Sequence, residues 1–136
     1  MPRVLGLTLC LSVLDVGCHR ARPTIGHDEA VTGSVTYRER IALPTNARLV
    51  VHLLDIDAPD VPDCIVASSE RAIEHAVPVP FELKYDPHGI VTGIQYGIAA
   101  EIRVGDEVWF ESAKPSPILT KGHGTHIDLV LMRVPR

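Results

Sequence analysis

From Ala30 onward the chain alternates apolar and polar residues with a period of two. Val31, Gly33, Val35 and Tyr37 fall on one face, with Thr32, Ser34 and Thr36 on the other. Val77, Val79, Phe81, Leu83 and Tyr85 alternate with Pro78, Pro80, Glu82 and Lys84. Ile94, Tyr96, Ile98, Ala100, Ile102 and Val104 alternate with Gln95, Gly97, Ala99, Glu101 and Arg103. Successive side chains on a strand point to opposite faces, so each segment reads as a half-buried strand. A helix needs a period near 3.6, and this chain does not sustain one.

The exceptions to the rhythm carry information too. Leu49 to Ile56 is apolar on both faces apart from His52, which places it centrally in a sheet. Ile127 to Val134 behaves similarly and would close the fold. Pro78 and Pro80 cannot donate to a ladder, so their strand begins at a sheet edge. Gly105-Asp106 is a two-residue hairpin signal that pairs the Ile94 strand with Val108-Trp109-Phe110. Asp86-Pro87-His88-Gly89 and Pro115-Ser116-Pro117 read as turns. Ser68 to His75 is the one helical candidate; it is short and reads as a turn or a strand extension. About seven short strands predict an all-β fold, an antiparallel two-sheet β-sandwich over residues 30–136.

Ahead of this body stands a different kind of segment. Met1-Pro2-Arg3 is a short positive start, and Val4 to Leu14 is mostly apolar. That length suits an export signal and is too short to span a bilayer. Gly17-Cys18 resembles the end of a bacterial lipoprotein signal, in which a small residue precedes an acceptor cysteine. Asp15 departs from that pattern, because leucine is usual three residues before the cysteine and Leu14 lies one place early. Three readings stay open: lipidation at Cys18, ordinary cleavage releasing a periplasmic protein, or an uncleaved or mis-assigned start. The first divides the chain into a signal peptide (1–17), a flexible tether from the lipidated cysteine (18–29) and the β-domain. His19 rather than Asp after the cysteine favours the outer membrane, facing the periplasm.

Charge and motifs exclude most other roles. The net charge is −4 with no run of Lys or Arg, which argues against nucleic acid. No Gly-x-Ser-x-Gly elbow and no phosphate loop occurs, so no catalytic residue is assigned and no enzyme is expected. In the acidic run Asp55 to Asp63, Pro59 and Asp60 break the EF-hand spacing, which leaves a solvated loop. His123 and His126, with Asp128 nearby, fall short of a zinc set and read as an exposed loop. No metal and no cofactor are expected. Cys64 opens an apolar stretch and reads as a lone, small buried hydrophobe. Trp109 sits between two core-facing residues, so it is expected to face outward, either as a partner contact or packed against a neighbouring side chain of the outer face.

The order of several stretches resembles the YbaY/YscW lipoprotein family, whose YscW branch comprises type III secretion pilotins. They are Val31-Thr32-Gly33-Ser34-Val35-Thr36-Tyr37-Arg38-Glu39-Arg40-Ile41-Ala42-Leu43-Pro44, Leu53-Leu54-Asp55-Ile56, Val77-Pro78-Val79-Pro80-Phe81-Glu82-Leu83, Tyr96-Gly97-Ile98-Ala99-Ala100-Glu101-Ile102 and Pro117-Ile118-Leu119-Thr120. The resemblance implies a β-sandwich lipoprotein domain without catalytic residues. For the pilotin branch it implies a secretin-like outer-membrane partner that the domain helps to assemble. The expectation is an envelope lipoprotein acting as a non-catalytic interaction module, membrane-attached through its lipid. A periplasmic glycan- or small-ligand-binding sandwich, using Trp109 and the surface near Tyr96, is the first alternative. A metal-assisted enzyme is the last.

Overall fold

A computed structural model describes residues 29–57 and 64–135. The signal segment, Cys18, the tether up to residue 28 and residues 58–63 of the acidic run lie outside the described residues. Eight strands follow in order: β1 (Glu29–Tyr37), β2 (Ala47–Asp55), β3 (Ile65–Ala72), β4 (Val79–Tyr85), β5 (Tyr96–Val104), β6 (Glu107–Glu111), β7 (Ser116–Ile118) and β8 (His126–Arg133). The alternation is realised side chain by side chain. In β4, Val79, Phe81, Leu83 and Tyr85 are buried, and Pro80, Glu82 and Lys84 are exposed. The helical candidate at Ser68 is strand, paired with β2.

The strands form one mixed sheet in the order β3-β2-β5-β6-β8-β1-β4, with β7 beside β5. This corrects the antiparallel two-sheet sandwich. β8 pairs antiparallel with β6 through Phe110↔Arg133 and Glu111↔Met132, and parallel with β1 from Thr32↔His126 to Tyr37↔Leu131. A strand shared in this way makes the two halves continuous. The sheet curls until its edge strands, β3 and β4, lie side by side, giving a nearly closed barrel. No ladder joins those two edges among the described residues. Pro78 and Pro80 withhold N–H donors there, and Arg71 Nη1 donates across the gap to the Pro80 carbonyl at 3.0 Å. Alternation reports which face a residue takes but not which strand it pairs with, so the parallel β1–β8 ladder was not legible in it.

Smaller expectations also shift. Pro115-Ser116-Pro117 is not simply a turn, because Ser116 and Pro117 enter β7 and pair with Ile98 and Gly97. β8 is central in the strand order, yet its outer face is uncovered, with Val130 and Met132 exposed. The β5–β6 hairpin turns at Gly105 with φ 62°, as its sequence predicts. A bulge follows: Ile102 faces Phe110, and Arg103 faces Val108. Trp109 is the extra residue. It is half-buried and packs against the core rather than standing free on the outer face.

The barrel interior is filled by Leu49, Val51 and Leu53 of β2, Ile98 and Ile102 of β5, and Phe110, Leu83 and Leu131. Tyr37 stacks on Phe110 with ring centroids 4.1 Å apart. Such a contact contributes about 0.5–1.5 kcal/mol beyond the buried area. β1 and β8 approach closely at Gly33, where an added Cβ would lie 1.6 Å from the Ile127 carbonyl oxygen. Only glycine permits that approach. Gly33→Ala is therefore expected to cost at least about 3 kcal/mol in chemical denaturation, as overpacked backbone sites do. Gly93, with nothing within 4 Å of a built Cβ, should tolerate alanine within about 0.5 kcal/mol. Equal losses at both positions would refute the account of the β1–β8 contact.

Candidate functional site

The strand registers define two ends. At one, Glu29 of β1 lies opposite Tyr85 of β4, Asp55 of β2 opposite Tyr96 of β5, and β8 begins at His126. This is the end at which residues 1–28 join the barrel. At the other, Tyr37 ends β1, Ala47 of β2 lies opposite Val104, and Arg48 lies opposite Ala72 at the end of β3. A strand of nine residues separates the ends by about 27 Å.

The far end carries the larger concavity, about 950 Å³, between the β1–β2 loop and the β3–β4 loop. Its apolar surface is Ile41, Leu43, Ile73 and Val77, and its rim is Glu39, Arg40, Glu74 and His75. Three of the apolar four are half-buried and Ile73 is buried, while the four rim residues are exposed. The first loop is shaped from within. The Tyr37 hydroxyl donates to the Ile41 carbonyl at 2.7 Å and folds the charged Arg38-Glu39-Arg40 segment outward. Burial, and then the charge of Glu39, raises the Tyr37 pKa, so the hydroxyl stays a donor. The second loop is tied back by the Ile73 N–H, which donates to the Ala47 carbonyl at 3.0 Å. The groove therefore offers apolar contact inside a ring of mixed charge.

The near end carries a smaller cavity of about 430 Å³ lined by Glu29, Tyr85, Ile90, Leu119 and Lys121, among others. The Tyr85 hydroxyl donates to Glu29 Oε2 at 2.9 Å. Desolvation, then that hydrogen bond, then the carboxylate charge push the Tyr85 pKa up to about 12.

The residues singled out by sequence fare unevenly. Trp109 has its indole Nε1 3.3 Å from Glu107 Oε2 and lines neither cavity. Tyr96 is buried, with its hydroxyl accepting from the Val91 N–H, so the two aromatics form no exposed platform for a sugar. His126 lies 3.2 Å from Thr32 Oγ1 and 3.5 Å from Asp128, apart from any third ligand. No group of three metal-ligating side chains converges among the described residues. Cys64 is buried and disulfide-bonded, so it is neither an exposed nucleophile nor the lone thiol the sequence implied. Sequence reasoning missed the groove. Its available signal was the cluster Ile41, Leu43 and Val77, apolar residues in segments that leave the strand rhythm.

Comparison with known proteins identifies the family of the chain and a matching fold. Residues 27–131 match the family described as type III secretion system lipoprotein chaperone (YscW). The chain is 31% identical over 105 residues to the uncharacterized lipoprotein YbaY of Escherichia coli (strain K12). That match covers 76% of this chain and 55% of YbaY, so the chain spans little more than half of that relative's length. Among solved structures, an alternative pilotin from the type II secretion system of Vibrio cholerae matches with a TM-score of 0.77 and 32% identity. The match covers 81% of this chain and all of the pilotin chain.

The Tyr85–Glu29 pair gives a pH prediction. The folded pKa is raised above the ordinary value of 10, so the contribution to stability is fully present below pH 10. Above 10 the unfolded chain releases its proton first, and the contribution is lost as pH climbs to about 12. Glu29→Gln removes the charge but not the burial, so Tyr85 should titrate lower than in wild type yet still above 10. Tyrosinate absorbance measures this, and an unchanged titration would contradict it.

Proposed function

Because the chain belongs to the YscW family of type III secretion system lipoprotein chaperones, we propose that its barrel holds a segment of a secretin-type outer-membrane partner in the groove at the far end. The family is one of chaperones and pilotins rather than enzymes, and its members belong to the cell envelope. The observation that carries the reading is polarity. The groove lies at the opposite end of β1 from the point where residues 1–28 join. A barrel anchored through Cys18 presents the groove away from the membrane. We take Cys18 as the lipidated residue, and the outer membrane, on its periplasmic side, as the location.

The chemistry of the groove defines the partner segment. Ile41, Leu43, Ile73 and Val77 select apolar side chains, and the rim of Glu39, Arg40, Glu74 and His75 pairs with charges on either flank. An amphipathic segment of a few turns fits a concavity of this size. Trp109, in the same half of the barrel, is a secondary contact outside the groove.

Two outcomes test the reading. Leu43 is half-buried in the free protein, and fully burying a leucine contributes about 1.5–3 kcal/mol. Leu43→Asp is expected to lower recovery of the envelope partner, after mild cross-linking and affinity capture, at least about tenfold. Its circular dichroism should stay that of wild type. Undiminished capture would sink the groove assignment. For the anchor, labelling with a palmitate analogue should mark wild type and not Cys18→Ala. Cys64 is disulfide-bonded in the full chain. Once the signal segment is removed, Cys18 is the one other cysteine, so acylation of Cys18 and a Cys64 disulfide exclude each other in the mature protein. A mature wild type that carries that disulfide would contradict the anchor. So would an unlabelled wild type.

A further inference from the structure

At the near end, the loop between β7 and β8 stores backbone strain. Leu119 has φ 69° and Lys121 has φ 55°, conformations that side-chain-bearing residues avoid. The Thr120 N–H donates to the Ile118 carbonyl at 2.8 Å, closing a γ-turn on Leu119. The His123 N–H donates to the Thr120 carbonyl at 3.2 Å, closing a second turn on Lys121 and Gly122. Between them Thr120 is buried, and its hydroxyl donates to the Ile94 carbonyl. A loop that holds two such residues is over-determined by its surroundings, and strain of this kind gathers at ligand clamps. Both strained residues line the same cavity, with Thr92, Thr125 and the carboxylate of Glu29.

We propose that this cavity binds the phosphoethanolamine headgroup of a membrane phospholipid. Its two charges match the ligand's two. The Lys121 ammonium, 3.5 Å from Asp57, and the hydroxyls of Thr92 and Thr125 receive the phosphate. The Glu29 carboxylate, already accepting from Tyr85, takes N–H donors of the primary ammonium. A purely anionic headgroup fits worse, because Glu29 and Asp57 would oppose it. Position supplies the second argument. Glu29 lines the cavity, and 11 positions separate it from Cys18. That length spans at most about 40 Å, so a bilayer holding an acylated Cys18 stays within reach. Val91, half-exposed two residues before Gly93, adds apolar surface at this end. The inference rests on the anchored orientation proposed above, but headgroup binding can be measured with the anchor removed.

The test uses the full chain carrying Cys18→Ser and flotation with phosphatidylcholine vesicles, with and without phosphatidylethanolamine. The apolar signal segment is the same in every arm. Expected is a gain in flotation with phosphatidylethanolamine that soluble glycerophosphoethanolamine competes away. Lys121→Gly and Glu29→Gln should each reduce that gain about tenfold, the loss of one charge-assisted contact. Glycine adopts the backbone at position 121 without strain, so Lys121→Gly stays folded while losing the ammonium. Phosphatidylcholine, whose methylated ammonium offers Glu29 no N–H, should give no gain. The proposal is overturned if phosphatidylethanolamine adds nothing, if phosphatidylglycerol substitutes for it, or if both variants float like the parent. Failure of the palmitate label in wild type would remove the anchor alone, leaving this result to stand or fall separately.

Discussion

The last strand of the domain lies on the first, and the barrel depends on that contact. β8 runs parallel to β1 and its backbone passes close over Gly33, where a side chain would strike the Ile127 carbonyl. Once β8 is seated there, its other end reaches β6, and the sheet becomes continuous from β3 around to β4. Asp128 reinforces the join from outside, accepting from both the backbone N–H and the hydroxyl of Ser34. The two ends of the barrel follow from this arrangement, since β1 carries its first residue to one and Tyr37 to the other.

Closure stays incomplete for a local reason. A hairpin such as β3–β4 ordinarily zips together, but Pro78 just before β4 and Pro80 within it remove donors, and Arg71 occupies the gap with its own hydrogen bond. Arg71 lies opposite Leu49, on the face that elsewhere points into the barrel. A charge there suits an edge that must not pair with a stray strand. The loop between these strands supplies one wall of the groove, so the same segment that leaves the seam open also shapes the groove.

Much of this was written in the alternation. The buried faces of β1, β4 and β5, the inner position of β2 and the turns at Asp86 and Gly105 follow from residue type and spacing. The pairing of distant strands does not, because period two assigns faces and leaves partners open. Trp109 shows the limit most clearly. Strict alternation turned it outward, but a one-residue bulge that no residue type announces rotated it onto the core. The groove was hidden for a similar reason. Ile41 and Leu43 lie in one loop and Ile73 and Val77 at another, and only the closed sheet brings them together.

In the arrangement proposed here the two ends of the barrel take opposite tasks, with the membrane at the tether end and the partner at the groove. Photocross-linking in intact cells measures that division directly. A photoreactive residue at position 43, in the groove, should capture an envelope protein, and one at position 91, at the end where the tether joins, should capture lipid. Protein captured from position 91 with none from position 43 would contradict the account.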